Sequence, residues 1–114
     1  MSGGIRTLIY PVRSIEQTKS LLGIVLGTEP YVDTPYYVGF RSDGSEIGLD
    51  PTGHSRGMTG PVPFTEVADI KATYDLLIEA GAEGVHEPED VGQGKLIAYV
   101  KDADGNMVGI MHTP

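Results

Sequence analysis

Apolar residues recur at helical spacing in two stretches of the chain and alternate at strand spacing almost everywhere else. The first helical stretch is "SIEQTKSLLGIVLG", opened by Ser14 with Gln17 placed to close a capping box. Ile15, Leu22, Val25 and Leu26 form its apolar stripe. The second is "DIKATYDLLIEAG", opened by Asp69 and stopped by Gly81, with Ile70, Tyr74, Leu77 and Ile78 on one stripe. A strand-like run precedes each helix, "IRTLIYPV" in one case and "GPVPFTEV" in the other. Two further phrases are nearly the same: "DGSEIGLDP" at 43–51 and "DGNMVGIMH" at 104–112. Each is a DG turn signal followed by alternating apolar positions, with a glycine in mid-strand at Gly48 or Gly109.

These coincidences are a repeat. A shift of 55 brings Val12, Ile15, Thr18, Leu21 and Leu22 onto Val67, Ile70, Thr73, Leu76 and Leu77. A shift of 61 brings Asp43, Gly44, Ile47, Gly48 and Leu49 onto Asp104, Gly105, Val108, Gly109 and Ile110. The extra residues fall in "GVHEPEDVGQGK", read as a long loop that the first half lacks. Duplication with one insertion explains both shifts. Each half then reads as strand, helix and three strands, a βαβββ module. The modules span 1–57 and 58–114 of a single domain, with "PTGHSRGMTG" as the linker. A helix covers only one face of such a sheet, so the expected fold is α+β. Two tandem modules form a curved mixed sheet around a cleft, with the helices outside. The cleft is where a ligand is expected.

Composition narrows the function. With no cysteine there is no disulfide framework, thiolate ligand or cysteine nucleophile. No apolar stretch approaches the ~20 residues of a membrane helix and no signal-peptide run opens the chain, so a cytoplasmic protein is expected. The net charge of −8 argues against a nucleic-acid partner. It suits a cationic ligand, and it equally serves plain solubility.

The paired modules, the helix closing on "VLG" and above all "YVKDADGNMVGIM" near the C-terminus resemble the vicinal oxygen chelate superfamily. That is the glyoxalase, bleomycin-resistance and extradiol-dioxygenase group, and the resemblance covers essentially the whole chain. Ala103 stands where the family usually writes proline. The resemblance implies a homodimer. It also implies four symmetric metal-ligand positions in the metal-dependent members, which fall here on Thr7 or its immediate neighbour, Gly48, Pro61 and Gly109. Only Thr7 carries a donor at all, and a divalent metal needs about three ligands from histidine and carboxylates. A branch without metal or other cofactor is therefore expected. Glu46 and Asp50 share the face of Gly48 but lie about 6–7 Å along the strand from it, too far to inherit its role. His54 in the linker and His86 in the long loop read as solvated surface residues, and His112 as facing away from Gly109.

Alternation then lists the cleft: Thr7, Ile9, Pro61, Pro63 and Thr65 from the first strands, with Glu46, Gly48, Asp50, Met107, Gly109 and Met111 from the hairpins. Ile47, Leu49, Val108 and Ile110 lie under the helices. The odd-length hairpins of the family would add Val38 and Tyr99 to the cleft. One of Tyr36 and Tyr37 should face each side. Glycines make room and methionines adapt to irregular apolar ligands, so a roomy pocket is expected. The function this supports is metal-independent binding or sequestration of a small molecule, such as an antibiotic or another cationic or aromatic metabolite. The alternative is a lyase, isomerase or dioxygenase-like enzyme. It would use Glu46, Asp50 or Tyr99 as acid or base, or else a displaced metal.

Overall fold

A computed structural model of the chain describes residues 2–114. Strand β1 (Ser2–Pro11) leads into helix α1 (Ile15–Leu26), followed by β2 (Val32–Asp33), β3 (Val38–Ser42) and β4 (Ser45–Asp50). The order then repeats: β5 (Val62–Val67), α2 (Ile70–Glu79), β6 (Glu83–Asp90), β7 (Leu96–Lys101) and β8 (Met107–His112). A short 3₁₀ turn at His54–Arg56 lies between the two runs. The fold is thus α+β, built from two βαβββ modules. The chain forms two compact units, one over residues 7–62 and one over residues 63–114 together with the start of β1 up to Arg6.

Local chemistry sets the helix ends. The Ser14 and Asp69 side chains accept hydrogen bonds from the amides of Gln17 and Ala72, satisfying donors that the first helical turn leaves open. Gly27 closes α1 at φ +66°, a left-handed conformation that glycine adopts without a Cβ clash.

In the 7–62 unit, β4 pairs with β1 in parallel and with β3 antiparallel, and β2 forms the far edge on β3. Leu22 of α1 is buried with Val12, Val38, Phe40 and Leu49, and Ile15, Leu26 and Ile47 pack around them. Val25 does not join this stripe and is 76% exposed, beside Leu21 and Ile24. At 3.6 residues per turn, Ile15, Leu22 and Leu26 cluster within about 40°, and Val25 stands about 80° from their centre.

The second unit repeats the scheme. Here β8 pairs with β5 in parallel and with β7 antiparallel, and β6 edges β7. Ile70 and Tyr74 of α2 are buried against Ala98, Val100 and Ile110, with Leu77 packed alongside. Ile78 lies on the flank and is 41% exposed. Residues 83–90 of the sequence-expected loop are strand β6, whose pairing to β7 shifts register on either side of His86. Charges and Pro88 hid this strand, and both are tolerated because it lies at an edge.

The two hairpins differ in a way their shared phrase conceals. Ser42 pairs with Ser45, leaving Asp43 and Gly44 as a tight turn with φ of 51° and 84°, both in the left-handed region such turns require. Lys101 pairs with Met107, so residues 102–106 form the second loop. There the Asp102 carboxylate accepts the amides of Asp104 and Asn106 and the Asn106 side-chain amide. Consequently Val38 pairs with Leu49, whereas Tyr99 pairs with Gly109. The expectation that Val38 faces a ligand is therefore wrong: it is fully buried beneath α1, because the first turn has an even number of residues.

A second correction concerns β5. Phe64 pairs with Gly109 and Glu66 with Met111, so these share the face of Gly109, while Pro63 and Thr65 point to the opposite face. Pro61 precedes the strand altogether. The shift of 55 that aligns the helices, carried back into the strands, sets Thr7 on Val62 and Ile9 on Phe64. That signal was available in the sequence.

Candidate functional site

In the 7–62 unit, Thr7, Ile9 and Pro11 pair with Glu46, Gly48 and Asp50, and these residues share one sheet face. Gly39 pairs with Gly48 on that face. Two adjacent glycines leave a flat patch of backbone, and tyrosines lie on it. A Cβ built on Gly48 would stand 2.2 Å from the Tyr37 hydroxyl and 2.7 Å from its ring, and one on Gly39 would meet the Tyr37 and Tyr31 rings at 3.0 and 3.1 Å. The expected space above Gly48 is thus occupied by an aromatic ring.

Glu46 organises the rings. Its Oε1 accepts a hydrogen bond from the Tyr31 hydroxyl and its Oε2 one from Tyr37. The loop carrying them is fixed by Thr34, whose Oγ1 accepts from the amides of Tyr36 and Tyr37 and donates to the Tyr37 carbonyl at 3.0 Å. Tyr31 is further tied by its own amide, which donates to the Gly39 carbonyl at 2.9 Å. The Arg41 guanidinium lies 4.0 Å above the centre of the Tyr31 ring. Tyr36 points away and is 83% exposed. Of this cluster the sequence indicated Glu46 and Tyr37; Tyr31 and Arg41 carried no periodic signal, one lying in a loop and the other on an exposed strand end.

Burial first, and then the hydrogen bond to Glu46, push the Tyr37 hydroxyl far above the usual tyrosine pKa. The same causes in the same order raise Tyr31, with Arg41 pulling back. The folded value exceeds the unfolded one, near ~10, so the associated stability is complete below that pH and fades as pH climbs through the folded value. Ultraviolet titration of tyrosinate should show Tyr37 ionising only at strongly alkaline pH, with an earlier onset in Glu46→Gln. All six tyrosines ionising together near pH ~10 would contradict this.

Asp50 has a structural task. Its Oδ1 accepts from the Thr52 amide and hydroxyl, both at 2.8 Å, and its Oδ2 lies 3.4 Å from Arg56. These contacts brace the turn after β4. His54, expected to be solvated, has its Nδ1 buried without a hydrogen-bond partner among the described residues.

The second unit presents a different surface. Phe64 lies against Gly109, where a Cβ would stand 2.6 Å from its ring and 2.8 Å from the Pro63 carbonyl oxygen. Tyr99 is 2% exposed, edge-on to Phe64 at 6.1 Å and stacked on His86 at 5.0 Å. His86, placed by the sequence in a loop, is held at 3.2 Å from Glu89. Met111, on the same face, is buried, while Met107 is half-buried. His112 Nδ1 lies 2.8 Å from the Val67 carbonyl and 3.5 Å from Glu66, whose carboxylate also accepts from the amide and hydroxyl of Thr113.

These surfaces do not fit a metal of the kind the fold family implies. The strand position matched to Thr7 is Val62, and the two carboxylate positions are glycines with rings on them. Among the described residues no three histidine, cysteine or acidic side chains gather closely enough to hold an ion.

A family model described as Glyoxalase/Bleomycin resistance protein/Dioxygenase superfamily matches residues 4–110. No curated protein matches the chain. Among solved structures, a member of this superfamily from Vibrio splendidus 12B01 aligns with a TM-score of 0.73 at 19% identity, covering 98% of both chains. A Streptomyces coelicolor methylmalonyl-CoA epimerase in complex with 2-nitronate-propionyl-CoA aligns at 0.71 and 17%, covering 99% of both. A Legionella pneumophila structure described as an NAD-dependent benzaldehyde dehydrogenase aligns at 0.71 and 13%, covering 95% of this chain and 98% of that one. At such identities the likeness is one of fold.

Proposed function

The chain belongs to the glyoxalase/bleomycin-resistance/dioxygenase superfamily, and on that premise we propose that it binds and sequesters a small organic molecule without a metal ion. The observation that carries this reading is the replacement of both hairpin carboxylates by glycines under aromatic rings. A ring over backbone offers a stacking surface in place of a Lewis acid. In the 7–62 unit that surface has a carboxylate beside it, and Tyr31 is 44% exposed. The proposal extends to a homodimer working in the cytoplasm.

An acid–base enzyme is the second reading. It is favoured by the same contact, since two phenols that hold their protons flank one carboxylate.

Thermal denaturation in excess chelator, against a panel of neutral, anionic and cationic aromatic compounds, tests the first reading. A ligand at a hundredfold excess over Kd adds about 2.7 kcal/mol, and each kcal/mol raises Tm of a small domain by roughly 4 °C or more. A rise of about 10 °C with an organic compound under chelation is expected. Stabilisation by divalent metals alone would overturn the proposal. Turnover of a stabilising compound, lost in Glu46→Gln, would select the enzyme instead.

A further inference from the structure

The Arg41 guanidinium over Tyr31 sits on the most exposed aromatic surface of the candidate site, within the same 7–62 unit as Glu46 and Tyr37. Arg41 and Glu46 are directly paired across β3 and β4, so their side chains leave the same face. The structure forms no ion pair between them. Glu46 instead takes the two phenols, one on each oxygen, and the guanidinium lies over the Tyr31 ring. A carboxylate has about four acceptor positions, so each Glu46 oxygen keeps one free. A planar cation with two parallel N–H groups could use both at once. Its aromatic end would then reach the ring that Arg41 covers.

We propose that the ligand of this site is a planar amidinium- or guanidinium-type aromatic cation, and that Arg41 is its built-in competitor, occupying the Tyr31 ring until the ligand displaces it. The proposal rests on the small-molecule reading above and adds a ligand class and a selecting residue. An internal cation sets a threshold: neutral aromatics gain only stacking, while a cation replaces the guanidinium with its own charge and adds the Glu46 contact. An exposed cation–π contact is weak, so the threshold amounts to about two- to fivefold in affinity.

Benzamidinium and its neutral isostere benzamide make the test, followed by tyrosine fluorescence, since the chain has no tryptophan. Benzamidinium should bind the native protein more tightly than benzamide. Arg41→Gln should tighten benzamidinium about two- to fivefold and benzamide less. Arg41→Lys, which keeps the charge, should stay near the native value. Glu46→Gln should abolish the preference for the cation. Equal tightening of both compounds by Arg41→Gln would mean that the arginine merely covers the ring, and would overturn the proposal. So would no change, or weaker benzamidinium binding. If neutral compounds stabilise the protein under chelation while benzamidinium does not bind, this inference fails and the small-molecule reading stands. If no organic compound binds, both fail.

Discussion

Alanine at Gly109 destabilises the protein by about 3 kcal/mol, the upper end for overpacking a close-packed site. The added methyl would stand 2.6 Å from a Phe64 ring carbon and 2.8 Å from the Pro63 carbonyl oxygen. The ring could swing aside at some cost, but the carbonyl belongs to the adjacent strand, and moving it disturbs the parallel pairing of Phe64 with Gly109. Gly48→Ala should cost less, because its first collision is with the Tyr37 hydroxyl, the far end of a side chain that is hydrogen-bonded to Glu46. Denaturant unfolding of the two variants measures the difference directly. Equal losses, or a larger loss at Gly48, would show that the contact with Pro63 relaxes easily.

Tyr99→Ala should cost about 3–5 kcal/mol, as for other large aromatic truncations in cores. The ring is almost fully enclosed, packed edge-on to Phe64 and stacked on His86, and its removal leaves a cavity that a shift of Phe64 fills only in part. Tyr99→Phe should be close to neutral, since the hydroxyl has no hydrogen-bond partner among the described residues. A loss above about 1 kcal/mol in Tyr99→Phe would assign the hydroxyl a structural bond. Phe64 touches both Gly109 and Tyr99, so the two alanine substitutions should not add. Space vacated by Tyr99 lets Phe64 withdraw from the new methyl. The double variant should therefore lose at least about 1 kcal/mol less than the sum. Strict additivity would mean that Phe64 does not move.

The repeat in the sequence made the fold legible because matched apolar positions carry both helices and the hairpin strands. What escaped was register. Glu46, Gly48 and Asp50 follow from alternation within one strand, and they do share a face. Val38 required the turn length, and Pro61, Pro63 and Thr65 required a strand start, so each was placed a single residue out of phase. In a structure of period two, one residue is the whole error. The contents of the glycine positions escaped for another reason. Tyr37 reaches Gly48 from a loop, and no strand or helix period describes a loop residue.

The unequal turns also decide what duplication could do here. Val38 and Tyr99 are 61 residues apart, equivalent in the aligned sequences, yet one faces a helix and the other faces Phe64. By pairing, the true counterpart of Tyr99 is Gly39, since each lies opposite the hairpin glycine of its own unit. The different turn lengths thus set non-equivalent residues opposite the two glycines. In one unit a large buried ring, Tyr99, fills that place against Phe64 and His86. In the other the place is Gly39, overlaid by the Tyr31 and Tyr37 rings that Glu46 holds. One turn signal, closed by two residues or by five, thus gives the two units unlike chemistry at matched places.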